Sequence, residues 1–239
     1  MKNAPARWRA DLALAGVALV WGTTFVVVKS ALDEISAVYF LTLRFGIAAV
    51  CMALLFAKPF RRAGSAAVLR GLRGGAIAGL FLWAGYMFQT FGLKYTSAGK
   101  SGFLTGLYIV LVPLIGAAIY RRAPQLSEVL GIFAAAAGLI LLAVPSLELH
   151  VNLGDALTIG CAVAFAIHLL VLGYYSQREC FEAVAFGQIA AAAVLSTISL
   201  LAEPPKAVWS PGVFFALLLT SVFATAMAFA LQTWAQQYT

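Results

Sequence analysis

Long apolar runs separated by short polar links make up most of the chain. Each run has roughly 17–25 residues with few charges, the length that an α-helix needs to cross the hydrocarbon core of a bilayer. The links carry helix breakers and charges, such as Lys58-Pro59 and Arg121-Arg122-Ala123-Pro124, and none is long enough for a soluble domain. The pattern predicts an all-α membrane protein, a polytopic helical bundle of about eight spans. The predicted spans are 11–29, 38–57, 74–93, 98–120, 126–145, 154–175, 183–202 and 211–235.

The composition agrees with lipid as the main solvent. Hydrophobic residues are 63% of the 239 residues, charged residues are 10%, and the mean hydropathy is +0.95. Soluble domains carry about 25% charged residues. Three cysteines without a C-x-x-C pair give no sign of a disulfide framework. The lipid bilayer is therefore the expected partner, and nucleic acid is not, despite the net charge of +7.

Basic residues are distributed unevenly between the two predicted sides of the membrane. The amino terminus and the second, fourth and sixth links carry eleven Lys and Arg, whereas the opposite links carry four. Loops rich in Lys and Arg stay in the cytoplasm. We therefore expect a multi-pass protein of the cytoplasmic (inner) membrane with a cytoplasmic amino terminus.

The chain contains an internal repeat. The motif Phe88-Gln89-Thr90-Phe91 through Tyr95-Thr96 recurs, 143 residues later, as Leu231-Gln232-Thr233-Trp234 through Tyr238-Thr239. At an offset of 144, the first and sixth spans also align, with Trp21 opposite Phe165. Apolar helices resemble one another by composition, but the shared Gln-Thr-aromatic and Tyr-Thr pieces are more specific. We predict a first repeat over 1–146 and a second, incomplete repeat over 147–239.

The repeat has a consequence for topology. Five spans separate equivalent helices, so the second copy crosses the membrane in the opposite sense, as in many secondary transporters. The first copy continues for two helices beyond Tyr95-Thr96, whereas the second stops at Thr239. We therefore expect ten spans in the complete architecture, in inverted five-helix repeats, and a fragment here.

Several motifs resemble the EamA-type members of the drug/metabolite transporter superfamily. They are Leu19-Val20-Trp21-Gly22-Thr23-Thr24-Phe25, Leu43-Arg44-Phe45, Leu93-Lys94-Tyr95-Thr96-Ser97-Ala98, Gly102-Phe103-Leu104-Thr105-Gly106-Leu107-Tyr108 and Val112-Pro113-Leu114. The resemblance covers nearly the whole chain. It implies a ten-helix carrier of two inverted repeats that exports amino acids, metabolites or drugs by alternating access. A small-molecule substrate and no cofactor or metal are expected.

Six residues within the spans are candidates for binding the substrate. Arg44 is the one charge well inside a span, where it attracts a substrate carboxylate, snorkels, or braces neighbouring helices. The amides line a polar path or link helices by hydrogen bonds. All nine acidic residues lie at span ends or in links, so no carboxylate is placed to couple transport to protons. The substrate-binding candidates are Trp21, Arg44, Tyr86, Gln89, His168 and Gln232.

Two small-residue motifs, Gly75–Gly79 and Gly102–Gly106, have the G-x-x-x-G spacing of close helix contacts. We expect both to be packing seams inside the bundle, and a homodimer interface is the alternative.

An enzyme is the alternative function. Gly99-Lys100-Ser101-Gly102 matches the nucleophile motif of rhomboid-type intramembrane proteases, with His168 as a base. The second span lacks the His and Asn of that family, and a protease does not explain the repeat. A non-transporting eight-helix structural protein is the third alternative. We predict a secondary transporter, and not an enzyme.

Overall fold

The computed structural model describes residues 7–121, 129–131, 133–134, 137 and 152–238. Within these residues, seven helical segments are long and apolar enough to cross a membrane, and each coincides with a predicted span. The predicted span 126–145 lies outside the described residues, apart from a few isolated positions. The all-α polytopic bundle predicted from the sequence is confirmed.

The helices follow one another with short connections. They are α1 (Arg7–Ala31), α2 (Ala37–Ala63), α3 (Ser65–Tyr95), α4 (Ala98–Gly106), α5 (Tyr108–Tyr120), α6 (Leu153–Ser176), α7 (Phe181–Ser199), α8 (Pro211–Leu218) and α9 (Ala228–Ala235). Leu107 separates α4 from α5, and the two helices together form one span, Ala98–Ile119.

The junction between the second and third spans differs from the prediction. Pro59 lies inside α2, so the helix does not break at Lys58-Pro59. The turn lies at Gly64, whose positive φ of 80° suits a residue without a side chain. Arg70 and Arg73 therefore belong to the first turns of α3, because this helix begins at Ser65 and not near 74.

The last span is continuous but not uniformly α-helical. Between α8 and α9, residues Leu219–Met227 form a π-helical segment, and the whole span runs from Pro211 to Ala235. A π-helical turn is rare and is frequently found at functional sites. Hydropathy did not predict it, because hydropathy reports the apolar length of a span and not its backbone hydrogen-bond pattern.

Contacts at one end of the bundle define the relative directions of α1 and α6. Lys29, in the last turn of α1, donates hydrogen bonds to the carbonyl oxygens of Leu93 and Thr96 at the end of α3. The hydroxyl of Thr96 donates to Asp155 Oδ1 over 2.7 Å, and Asp155 lies in the first turn of α6. The end of α1 thus adjoins the start of α6, so the two helices cross the bundle in opposite directions.

Glycines of α3 allow α7 to approach its backbone closely. A Cβ atom on Gly71 would lie 2.6 Å from the Cβ of Ala183, and one on Gly79 would lie 2.6 Å from the carbonyl oxygen of Gln188. Gly75 meets the backbone of α7 in the same way, at 2.9 Å from the Gln188 nitrogen. The prediction that Gly75–Gly79 is a seam inside the bundle is confirmed.

The second small-residue motif has different surroundings. A Cβ atom on Gly102 would meet only the Phe25 ring, at 3.7 Å or more, which is an ordinary contact. Gly102 and Gly106 both line an internal cavity. At Gly102, the described residues thus show cavity space beside Phe25 and no close helix contact, and the packing seam at Gly102–Gly106 stays a prediction.

Candidate functional site

A cavity of about 190 Å³ lies inside the bundle, between α1, α3, α4, α5, α6 and α9. Aromatic rings, small residues and uncharged polar groups form its walls, and among the described residues no lining side chain carries a formal charge. The lining residues are Ala18, Trp21, Gly22, Thr24, Phe25, Leu82, Tyr86, Gln89, Gly102, Thr105, Gly106, Tyr108, Phe165, His168, Leu169, Phe229 and Gln232.

Five of the six candidate residues line this cavity, although they come from four different helices. They are Trp21, Tyr86, Gln89, His168 and Gln232. Arg44, the sixth candidate, is not part of the lining and lies behind Tyr86.

The lining also pairs positions that the predicted repeat relates. At offsets of 143 or 144 residues, both members of five pairs face the same cavity. The pairs are Trp21 with Phe165, Thr24 with His168, Phe25 with Leu169, Tyr86 with Phe229, and Gln89 with Gln232. Phe165 and Phe229 were not among the candidates, yet the repeat offset alone could have found them as counterparts of Trp21 and Tyr86.

Tyr86 is the centre of an aromatic cluster. Its ring makes edge-on contacts with Phe165 at 5.3 Å and Phe45 at 5.2 Å between centroids, and it lies 6.3 Å from Phe229. Trp21 packs on Phe229 at 5.2 Å. Such aromatic pairs add about 0.5–1.5 kcal/mol beyond the burial of their area. The cluster therefore gives the cavity a rigid apolar wall.

Arg44 does not line the cavity, but it contacts Tyr86, which does. Its side chain is only 2% exposed, its Nε donates to Thr225 Oγ1 over 2.8 Å, and its Nη2 donates to the Tyr86 hydroxyl oxygen over 3.0 Å. The guanidinium carbon also lies 4.4 Å from the centroid of the Tyr86 ring. Of the alternatives for Arg44, the contacts favour bracing, through side chains of α3 and the last span and not through backbone carbonyls.

The π-helical segment receives a second contact from the cavity wall. Trp21 Nε1 donates to the carbonyl oxygen of Ala224 over 2.8 Å, and Thr225, the next residue, accepts from Arg44. In an α-helix, the Ala224 carbonyl would serve mainly its own helix. Both contacts join the site to the π-helical segment, which no sequence motif predicted.

The two repeat-related amides differ in their surroundings. Gln89 Nε2 donates to Thr105 Oγ1 over 3.3 Å and lies 3.8 Å from Cys161 Sγ. Gln232 is only 6% exposed, and its Oε1 is buried without a hydrogen-bond partner among the described residues. A buried polar atom without a partner is costly. Gln232 is therefore the amide of this wall whose oxygen lacks a partner among the described residues.

A chain of hydrogen bonds links the His168 side chain to Gln188, Thr233 and the Phe229 carbonyl. Its Nε2 lies 2.7 Å from Gln188 Oε1, Gln188 Nε2 donates to Thr233 Oγ1 over 3.0 Å, and the Thr233 hydroxyl donates to the Phe229 carbonyl. All these side chains are buried. Gln188 was not among the candidate residues, and its partner on α6 could not be predicted from the sequence.

The protease alternative finds no support in this arrangement. Ser101 Oγ lies 3.5 Å from Thr158 Oγ1, whereas His168 is bonded to Gln188. The serine and the histidine are thus engaged with different partners on different helices. The described residues contain no group of three or more His, Cys, Asp or Glu that could hold a metal ion.

A membrane-spanning bundle around an internal cavity is typical of polytopic membrane transporters, and the comparisons show the family. Residues 8–144 match the EamA-like transporter family. An uncharacterized transporter from Archaeoglobus fulgidus is 37% identical over 233 residues, which cover 98% of this chain and 71% of the relative. The chain belongs to the EamA-like transporter family. It is therefore a multi-pass membrane transporter of a small molecule, not an enzyme.

A solved crystal structure supports the fold. It aligns with a TM-score of 0.73 at 20% sequence identity, over 97% of this chain and 80% of that chain. At this identity, the likeness supports the fold alone.

Proposed function

We propose that this chain forms the translocation core of a secondary carrier, which exports a small solute across the cytoplasmic membrane by alternating access. The observation that carries the proposal is the cavity, an uncharged space of about 190 Å³ between helices of both predicted repeats. Secondary transporters bind substrate at the interface between such repeats and expose it alternately to the two sides.

The repeat pairs support the alternating mechanism. Five pairs of related positions face one cavity, and the related helices α1 and α6 cross the bundle in opposite directions. An inverted repeat allows two conformations of similar energy, because each half can adopt the arrangement of the other. We accordingly propose the boundaries 1–146 and 147–239 for the two repeats.

The chemistry of the cavity favours a solute with one aromatic or similar apolar ring and no net charge. An engineered cavity of about 150 Å³ holds benzene, so 190 Å³ leaves space for a ring with a small polar group. Trp21, Tyr86, Phe165 and Phe229 offer ring surfaces, and Gln89 and Gln232 offer amides. The lining that the structure describes offers no formal countercharge, so a solute with a net charge would enter at a high cost in free energy.

Counterflow in proteoliposomes tests this function. Vesicles that contain the full protein are loaded with one of three one-ring probes. L-Phenylalanine is a zwitterion, phenethylamine is a cation and 3-phenylpropionate is an anion. We expect uptake of the labelled zwitterion to exceed that of the cation or the anion, and protein-free vesicles to show none. Flux of no probe, and of no member of a wider amino-acid and drug panel, would favour the non-transporting structural alternative.

A matched pair of amide substitutions tests the site. Gln89→Leu removes an amide from the cavity wall and is expected to lower counterflow about tenfold, the effect of one hydrogen bond of about 1.4 kcal/mol. Gln177→Leu removes an exposed amide that bonds the Gln236 carbonyl outside the cavity. Equal rates in the two variants would remove Gln89 from the binding site.

The amino terminus is proposed to face the cytoplasm, on the basis of eleven basic residues against four. Ser65→Cys and Lys206→Cys place thiols on exposed residues at opposite ends of the bundle, after alanine replaces the three native cysteines. On intact cells, a membrane-impermeant maleimide is expected to label position 206 at once and position 65 only after permeabilisation. The reverse labelling pattern would contradict the proposed orientation.

A further inference from the structure

The helices α2 and α3 are longer than the hydrocarbon core of a bilayer requires. They have 27 and 31 residues, which at 1.5 Å per residue correspond to about 40 and 46 Å of helix. The hydrocarbon core is only about 30 Å thick. The hairpin that the two helices form around the turn at Gly64 therefore extends into the headgroup region.

Aromatic rings at the other end of α2 indicate where the hydrocarbon core begins. Tyr39, in the first turn of α2, contacts the exposed Trp209 at 6.2 Å between ring centroids, and Trp209 stacks on Phe214 at 5.3 Å. Trp and Tyr are enriched at membrane–water interfaces. Lys58 follows Tyr39 by 19 residues, about 29 Å of helix. Lys58 thus lies at the level of the headgroups of the opposite leaflet.

An exposed apolar stripe on α2 continues directly into cations. Ile47, Val50 and Leu54 are exposed and follow one another at helical spacings of three and four residues. Lys58 and Arg61 are exposed too and continue the same spacing. At 3.6 residues per turn, the five side chains fall within an arc of about 80°. A phospholipid whose acyl chain lies on this stripe would place its headgroup beside Lys58 and Arg61.

The start of α3 carries a matching stripe. Leu69, Ile77 and Leu80 are exposed on one face, and the exposed Arg73 lies within the same arc. Arg73 follows the turn between the helices by nine residues, and Lys58 precedes it by six. These separations correspond to about 14 and 9 Å of helix, so the two cations lie at similar depths on the two arms of one hairpin.

The cations of this hairpin lack countercharges within the described part of the chain. Arg70 pairs with Glu179 over 3.2 Å, but Lys58, Arg61 and Arg73 form no ion pair with a described residue. Clusters of Lys and Arg beside a membrane span bind anionic lipid headgroups. A lipid with a net negative charge would supply the missing countercharge, and its acyl chains would cover the apolar stripes.

We propose that Lys58, Arg61 and Arg73 form a binding site for the headgroup of an anionic glycerophospholipid, whose acyl chains lie along the exposed stripes of α2 and α3. A zwitterionic phospholipid fits less well, because its own ammonium group would face three cations. A soluble phosphate could meet the cations but not the stripes. The site lies outside the cavity, and it does not depend on which solute the protein transports.

Native mass spectrometry of the purified full protein in detergent tests the site. It compares the dissociation constants of phosphatidylglycerol and phosphatidylcholine with identical acyl chains. We expect phosphatidylglycerol to bind at least tenfold more tightly to the wild type. A basic side chain near an anionic membrane surface strengthens binding about fivefold. The triple variant Lys58→Gln, Arg61→Gln, Arg73→Gln is therefore expected to lose at least tenfold in affinity for phosphatidylglycerol and to bind the two lipids almost equally.

A second triple variant is the matched control. Arg9→Gln, Arg121→Gln and Lys206→Gln remove three exposed cations outside the hairpin and change the net charge by the same amount. This control is expected to bind phosphatidylglycerol as the wild type does. An equal loss of affinity in both triple variants would show a general effect of net charge and would overturn the site.

Inorganic phosphate distinguishes a lipid site from a site for a soluble anion. A large excess of phosphate is expected to leave phosphatidylglycerol bound, because the acyl chains contribute contacts that phosphate lacks. Displacement of the lipid by phosphate alone would identify a soluble-anion site instead. Equal affinities of the wild type for phosphatidylglycerol and phosphatidylcholine would overturn the preference for an anionic headgroup.

Single substitutions cover the case in which the triple variant does not fold. Lys58→Gln and Arg73→Gln are each expected to weaken phosphatidylglycerol binding about fivefold, whereas Arg73→Lys keeps the charge and is expected to bind nearly as the wild type. An unchanged affinity in Arg73→Gln would overturn a site shared by the two helices. Counterflow by a protein without lipid preference would leave the proposed carrier intact and remove only the lipid site.

Discussion

Replacing Arg44 with methionine is expected to lower counterflow about tenfold to a hundredfold while the bundle stays folded. Methionine keeps the length of the side chain but removes the donors to Thr225 Oγ1 and to the Tyr86 hydroxyl. A hydrogen bond to a charged group is worth about 1.5–3 kcal/mol. Without it, Tyr86 loses the contact that orients its ring in the cavity wall.

The expected effect of Arg44→Met on stability is small or favourable. Burying a guanidinium costs free energy, and replacing buried charges by apolar groups of similar volume is often neutral or stabilising. The thermal unfolding midpoint in detergent measures the stability of the variant separately from its transport activity. A large fall in the midpoint together with the loss of flux would mean that Arg44 is only a structural brace.

A double-mutant cycle shows whether Arg44 acts through Tyr86. Tyr86→Phe removes the same hydrogen bond from its other end and keeps the ring. If Arg44 acts through Tyr86, the double variant is expected to transport about as well as the weaker single variant. Fully additive losses would instead assign Arg44 a separate effect, such as direct attraction of a substrate carboxylate.

Replacing Asp155 with asparagine is expected to destabilise the protein by about 3 kcal/mol, the largest stability effect of a single substitution proposed for this chain. The Asp155 side chain is 3% exposed, and Lys100 Nζ lies 2.6 Å from its Oδ2. Asp155 also accepts from the Thr96 hydroxyl and from the Asn152 backbone, so it ties α6 to the junction of α3 and α4. Urea unfolding followed by tryptophan fluorescence provides the measurement.

Another ion pair of the chain provides the control for Asp155. Glu179→Gln removes the partner of Arg70, whose side chain is 59% exposed. An exposed pair contributes roughly 0–1 kcal/mol, so this variant is expected to unfold near the wild type. Equal effects of Asp155→Asn and Glu179→Gln would show that burial does not strengthen the Asp155 contacts.

The span pattern was predictable because apolar length is a local property. Seven of the predicted spans coincide with helices of the described residues, and the motifs that resembled the EamA-type transporters led to the correct family. The errors in the predicted helix bounds lie at features that hydropathy does not report. Pro59 is accommodated within α2, and α3 begins about nine residues earlier than its apolar core, because the amphipathic turns near Arg70 and Arg73 extend it.

The candidate site was partly predictable, because the repeat pointed to positions that face one space. Gln89 with Gln232 and Trp21 with Phe165 illustrate this, although the candidate residues include both members of the first pair only. The partners of these residues were not predictable. Hydrogen bonds join Arg44 to Thr225 and His168 to Gln188, and no periodicity in the sequence relates those positions.

By itself, the sequence determined that the chain crosses a membrane many times, where the described spans lie, and which family it belongs to. These properties follow from apolar length and from local motifs, which are independent of how helices pack. Only the tertiary structure decided that Arg44 stands behind Tyr86, that the last span contains a π-helical segment, and that the Gln188 carbonyl faces His168. Each of these depends on the meeting of helices distant in the chain, where close packing and the direction of a hydrogen bond decide the partner.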